Sequence, residues 1–387
     1  MSPAVGSDVV TYKGSNFLRQ RLLLSTLSGR ALKIEEIRSS DNSGLKEYEV
    51  NLIRLLDKVT NGARVEIGPN GTSLFYHPGI LIGGHINHVC CTDRGIGYYL
   101  ETLLALGPFC KEPLNAVLQG VTHNDLDVSV DKIKAAALPI LLKFILVDEG
   151  LELKVVRRGA PPLGGGEVVF KCPVRRHLRP LQWSEAGLIK RVRGIVYALR
   201  VSPTMANRVV DAAKGVLLNF LPDVYINTDQ CRGPNAGKSP GYGVTLYAET
   251  TDKTVYSAEA KSSSPGSDTA SLPEDVGMKC AARLLDEIRR GGVADSSFQW
   301  LLALWMALGQ KDVSQCVVGP LSEYTMKFLQ HLKQMFGVMF KLEVLHSDDD
   351  DEDEEDSLSI PNKIKMTCGP RLPSKCPFTL VLKTPRL

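Results

Sequence analysis

A chain of 387 residues with 43% apolar side chains has material for two or three packed domains, which excludes a disordered protein. No run of eighteen apolar residues occurs, and the N-terminal MSPAVGSDVV lacks the charged and apolar regions of a signal, so a soluble intracellular protein without a membrane partner is expected. The net charge of +3 hides an asymmetry: nine acids stand in one block, Asp348–Asp356 (DDDDEDEED), and without them the remainder carries +12. Such a block repels itself and reads as a loop, whereas the basic body favours an anionic partner, RNA above all; a solvated basic surface would give the same count.

In chain order, one unit recurs: an amphipathic helix, a Gly or Pro stop, then a short strand. Phe17–Leu27 reads as a helix stopped near Gly29 and followed by the strand ALKIEEIR. Leu45–Val59 reads as the next helix, and ARVEIGPNGTSLFY as two strands around an Asn70-Gly71 turn. HINHVCC places four potential metal ligands within seven residues, but on a strand His85 and Cys91 face one way and His88 and Cys90 the other, so no metal site is expected. The nine cysteines contain no CxxC pair and indicate neither a disulfide framework nor a zinc module. Gly97–Leu106 is a helix broken at Gly107-Pro108, leading into the strand LNAVLQGVT.

RRGAPPLGGGEVVF, Arg157–Phe170, sets two prolines and three consecutive glycines between strands. Gly164, Gly165 and Gly166 allow either a tight turn or the approach of a phosphate, with Arg157, Arg158, Lys171, Arg175 and Arg176 as flanking cations. His177 stands in the same basic stretch, KCPVRRHLRP. Residues 188–260 then form a small α/β unit of their own, with GIVYALRV, DVYINTD, GVTLYAET and VYSAEA as strands and Thr204–Leu218 as a helix. GPNAGKSP fails as a phosphate-binding P-loop, because only three residues separate Gly233 from Gly237 and a strand follows; a polar hairpin loop is expected. KSSSPGSDTASLP returns the chain to helices at Val276–Ile288 and Phe298–Leu308. No Gly-x-Ser-x-Gly elbow is present. The fold class is therefore α/β: repeated sheet-on-helix modules in a large domain (1–185 and 273–387) with a smaller α/β domain inserted at 186–272.

Arg158–Gly166, read as Arg-Gly-x-x-Pro-x-Gly-Gly-Gly, resembles the signature of the RNA 3′-terminal phosphate cyclase family. Gly14–Arg38, Gly62–Gly79, the RGIGYYLETLLALGPF segment from Arg94, RVSPTMANRVV and Val276–Gly292 follow the same family's pattern over nearly the whole chain. The resemblance implies the repeated-module fold with an insert. Family enzymes use ATP: a histidine accepts AMP and passes it to an RNA 3′-phosphate, which then cyclises. Here Tyr324 occupies the position aligned with that histidine, and a neutral phenol is a poor nucleophile. The family's Asp-Gln pair falls on Trp300-Leu301, its Gln-His pair near Tyr48-Glu49, and its N-terminal acidic and Gly-Gly-Gly-Gln elements on Tyr12 and GSN, although Arg19 remains.

These departures resemble the cyclase-like branch, nucleolar proteins of precursor-rRNA processing on the small-subunit pathway that associate with a ribosome-biogenesis GTPase. The resemblance therefore implies nuclear and nucleolar placement, pre-rRNA or a small-subunit pre-ribosome as partner, and no cofactor, no metal, no catalytic residue and no cyclase activity. Arg19, Arg158, Gly164, Gly165, Gly166, Lys171, Arg175 and Arg176 are the expected anion- or RNA-binding residues. One alternative is an endoribonuclease using His331 and Lys333 as acid and base, although two residues apart on a helix they face different directions. Another is an active cyclase with relocated residues.

Overall fold

The computed structural model describes residues 9–40, 43–175, 177–263, 271–309, 312–345 and 361–369. Arg176 and the acidic block 348–356 lie outside the described residues.

The first module runs β1 (Val10–Lys13), α1 (Leu18–Ser28), β2 (Leu32–Glu35), α2 (Glu47–Val59), β3 (Thr60–Asn61), β4 (Arg64–Ile67), β5 (Leu74–His77) and β6 (Ile80–Leu81). Its main sheet has the order β1-β2-β5-β4, with β1 parallel to β2 and the other pairs antiparallel. The helix α1 is buried on nearly every side, which its LLL run dictates, and it stops where Gly29 takes a left-handed φ of 72°. Gly71, with φ 66°, makes the expected turn between β4 and β5.

The second module repeats that topology: β7 (Gly83–Val89), α3 (Ile96–Leu106), β8 (Glu112–Gly120), α4 (Val130–Lys132), a π turn, α5 (Leu138–Ile145), β9 (Glu152–Arg157) and β10 (Gly166–Cys172), in the order β7-β8-β10-β9. Along β7, Ile86 and His88 are buried while His85 and Val89 are exposed, as the alternation requires. No cluster of three potential metal ligands occurs among the described residues.

The third module opens with β11 (Gln182–Trp183), after which the chain leaves to build the insert: β12 (Ile189–Leu199), α6 (Pro203–Leu217), β13 (Val224–Cys231), β14 (Gly241–Thr250), β15 (Val255–Lys261) and α7 (Pro273–Arg290). It returns as α8 (Gln299–Leu308), β16 (Ser314–Val318), α9 (Glu323–Phe336), β17 (Phe340–Leu345) and β18 (Lys363–Cys368), whose sheet β11-β16-β18-β17 has the same pairing as the other two. One continuous apolar core joins all three modules, with α1, α3 and α8 at its centre.

The insert has its own core between the sheet β13-β12-β14-β15 and the helices α6 and α7. That core extends past residue 272, because Val276, Cys280, Ala281 and Leu284 of α7 are buried in it rather than in the main core. The expected hairpin at Gly233–Pro240 is corrected: β12 lies between β13 and β14, so this loop crosses over a strand instead of turning back on its neighbour. Among the described residues, no helix is long and apolar enough to cross a membrane.

Candidate functional site

The N-terminus of α1 meets α2, α3 and α9 around a cavity of about 270 Å³. Phe17 holds a left-handed φ of 56° at the start of α1 and turns the following residues into this space. Arg19 donates from Nε and Nη2 to the Tyr324 hydroxyl at 3.2 and 2.9 Å, and from Nη1 to the Glu101 carboxylate at 2.5 Å and the Tyr98 carbonyl at 3.2 Å. Its guanidinium carbon lies 5.0 Å from the Tyr98 ring centre and 5.9 Å from that of Trp300. Burial alone would push the Arg19 guanidinium down, but Glu101 and the Tyr324 oxygen outweigh it and hold it above its usual range. Burial likewise holds the Tyr324 phenol above its ordinary value, against the pull of Arg19, so it is a neutral hydroxyl at pH 7.

Two more arginines line the cavity, and each is matched by an acid. Arg38 binds Glu49 through two 2.8 Å contacts, and Arg94 grips Asp127 with both Nε and Nη2. Burial would raise the Asp127 carboxyl; Arg94, Asn124 and the Gly95 amide bring it below its usual value instead. The cavity is thus arginine-rich but close to neutral, and its cations point at carboxylates already in the fold rather than at free space. A phosphate entering here would have to displace one of those pairs.

The positions expected to depart from the family pattern lie near one another in space. Tyr48, Glu49 and Tyr324 line the cavity, Trp300 packs edge-on against Tyr324 at 5.7 Å between ring centres, and Tyr12 packs edge-on against His331 at 5.2 Å. His331 is buried, with Nδ1 2.9 Å from the Gln20 Oε1, while Gln20 donates to the Tyr324 carbonyl at 3.0 Å. Lys333 is exposed, so the structure does not bring His331 and Lys333 together.

Burial, reinforced by Arg21 and Lys327, pushes His331 down to about 4. With the folded value below the unfolded one of roughly 6.5, its contribution to stability is complete above that pH. It is lost as the pH falls from the unfolded value to the folded one. His331→Gln is expected to flatten the stability profile between pH 6.5 and 4, as followed by urea unfolding at successive pH values.

The glycine signature lies elsewhere, at the seam between the second module and the insert. Arg158 donates to Asp131 at 2.5 and 3.2 Å and to Asp229 of β13 at 2.6 Å. His123 Nε2 lies 2.9 Å from the same Asp131 carboxylate. Burial would raise the Asp131 carboxyl, but Arg158 and His123 overcome it and hold it far below its usual range. Gly164 and Gly165 take φ of 62° and 85°, and a Cβ on Gly165 would come within 3.2 Å of the Lys238 backbone nitrogen. That nitrogen donates to the Gly164 carbonyl at 3.0 Å, and the Leu163 amide donates to the Ser239 hydroxyl at 3.1 Å. The loop therefore packs against GPNAGKSP, the other glycine-bearing segment, and the missing side chains permit that approach.

The remaining expected anion contacts are dispersed. Lys171 pairs with Glu152 at 2.8 Å on the exposed face of β10, and Arg175 donates to the carbonyls of Val147 and Glu149. Gly166 begins β10. Glu101, Arg38, Arg94 and Asp127 were not singled out from the sequence; the one available signal is Glu101 as a lone acid in the apolar run YYLETLLAL.

A family profile described as RNA 3′-terminal phosphate cyclase matches residues 10–342. A "Probable RNA 3'-terminal phosphate cyclase-like protein" of Drosophila melanogaster is 57% identical over 93% of this chain and 94% of its own length. The human "RNA 3'-terminal phosphate cyclase-like protein" is 55% identical over 94% and 96%. The "rRNA processing protein rcl1" of Schizosaccharomyces pombe is 43% identical over 87% and 92%. With its triplicated module, its glycine signature and relatives matched nearly end to end, the chain belongs to the RNA 3′-terminal phosphate cyclase family.

Proposed function

We propose that this chain is a ribosome-biogenesis factor acting in pre-rRNA processing on the small-subunit pathway in the nucleolus, on a cyclase scaffold without cyclase activity. In this reading it works with pre-rRNA or a small-subunit pre-ribosome and a ribosome-biogenesis GTPase. The observation that carries it is the Arg19–Tyr324 contact: where the family scheme needs a free imidazole, this chain has a neutral phenol whose oxygen already accepts two guanidinium hydrogen bonds. The printed name of the fission-yeast relative, an rRNA processing protein, supports the same direction. Depleting the protein from cells should leave small-subunit rRNA precursors uncleaved; normal precursor levels would sink the proposal.

Purified protein incubated with labelled ATP is expected to form no covalent AMP adduct and to leave an RNA 3′-phosphate uncyclised. Tyr324→His should not restore either reaction, because Trp300 still fills the neighbouring space and Glu101 still holds Arg19. An adduct on the unaltered chain would overturn the loss of cyclase chemistry.

A further inference from the structure

A larger cavity, about 480 Å³, lies between α2 and the outer face of the second sheet. Its floor is made by Asn87 and Val89 of β7 with Val117 and Gln119 of β8, outward-facing residues that sit opposite one another in register. Its wall is the stripe Asn51, Arg54 and Lys58 on α2, spaced i, i+3, i+7. Wall and floor are stapled: Asn51 donates to the Val89 carbonyl at 3.1 Å, Lys58 to the Asn87 carbonyl at 2.7 Å, and His88 Nε2 lies 2.8 Å from Asn51 Oδ1.

In contrast to the α1 cavity, none of the residues lining this groove is an acid. Neither Arg54 nor Lys58 pairs with a carboxylate among the described residues, and Arg54 is exposed. Glu167, the acid at the far rim, accepts from Gln119 at 3.0 Å and lies 3.5 Å from Arg157. Asp57 of α2, about 60° round the helix from Arg54 and about 100° from Lys58, is not among the residues lining the groove and forms no ion pair with either among the described residues. Val89 is 68% exposed on the floor.

We propose that this groove holds a single strand of RNA, with consecutive phosphates on Arg54 and Lys58 and the sugar and base faces over Val89 and Val117. The proposal rests on the pre-rRNA reading and names a contact surface for it. RNA fits better than an acidic peptide for two reasons. The cations stand one helical turn apart, about 6 Å between Cβ atoms, and can take successive phosphates. The floor sets the apolar surface of Val89 and Val117 beside those cations, which suits a strand whose charged backbone runs alongside its apolar base faces. The one aromatic ring in the lining, His88, is 4% exposed and turned to Asn51, so it offers no face for a base to stack on, and recognition is of the backbone, with little sequence preference.

The test uses the full chain and a fluorescein-labelled twelve-nucleotide single-stranded RNA of mixed sequence, followed by anisotropy between 50 and 200 mM KCl. Arg54→Glu with Lys58→Glu should weaken binding at least about tenfold. Arg54→Gln with Lys58→Gln should lower the slope of log K against log salt by roughly 1.4, the share of two phosphate contacts on a single strand. Lys190→Glu with Lys279→Glu changes the net charge equally at exposed sites elsewhere and should have a much smaller effect. Unaltered binding by the Arg54/Lys58 variants, or an equal loss in the Lys190/Lys279 variant, overturns the groove while leaving the pre-rRNA reading intact. Failure of the unaltered chain to bind any RNA overturns the groove and removes direct RNA contact from that reading. Displacement of the RNA by polyglutamate at comparable concentration would reassign the groove to an acidic protein segment.

Discussion

Arg158→Ala is expected to destabilise the protein by about 3–5 kcal/mol, because it strands the Asp131 carboxylate in the interior without its main counter-charge. Side chains of both residues are 5% exposed, so water cannot take the arginine's place. Asp229 is 46% exposed and can be rehydrated; its share of the loss is small. The effect should also be local, since Arg158 joins the second module to β13 of the insert. Cleavage by a protease within residues 233–240 should rise along with the shift in urea midpoint. A loss under about 1 kcal/mol would show that His123 alone can hold Asp131, and the role of Arg158 as the clamp of this seam would fall.

Removing Arg19 should be comparably costly. Arg19→Ala leaves Glu101, 3% exposed, and the Tyr324 hydroxyl without partners, for an expected loss of about 3–5 kcal/mol. The triple change Arg19→Met, Glu101→Leu and Tyr324→Phe removes every polar group of the cluster together. It should recover most of that loss, since apolar replacement of a whole buried ion pair is often neutral or stabilising. The pair of measurements separates two views of the α1 cavity. If the cluster is scaffold, a cell dependent on the triple variant processes its rRNA precursors normally. If the Arg19 site has kept a ligand, the triple variant is stable in urea and defective in the cell.

The same residues show how far the linear chain speaks for the fold. The module pattern was legible because it is local: a helix stripe of period 3.6, a Gly stop and a strand of period 2 are set within ten to fifteen residues. Gly29 and Gly71 could be placed for that reason, and both take the left-handed φ their positions require. The loop at Gly233–Pro240 was misread because a polar segment between two strands looks the same whether the strands pair or β12 lies between them. The core of α7 was equally hidden: the 3.6 pattern shows that Val276, Cys280 and Leu284 share a face, but not which sheet that face meets.

Residue identity and short-range periodicity carried the repeated α/β architecture and the resemblance at Arg158–Gly166, and that resemblance is what aligns Tyr324 with the family's histidine. What those residues touch was set by the packing of distant segments. Arg158 finds its acids 27 and 71 residues away, and Arg19 finds Glu101 and Tyr324 at separations of 82 and 305. Charge pairing at such distances depends on how modules pack, and burial makes a matched arginine structural where an unmatched one, such as Arg54 on α2, is left exposed.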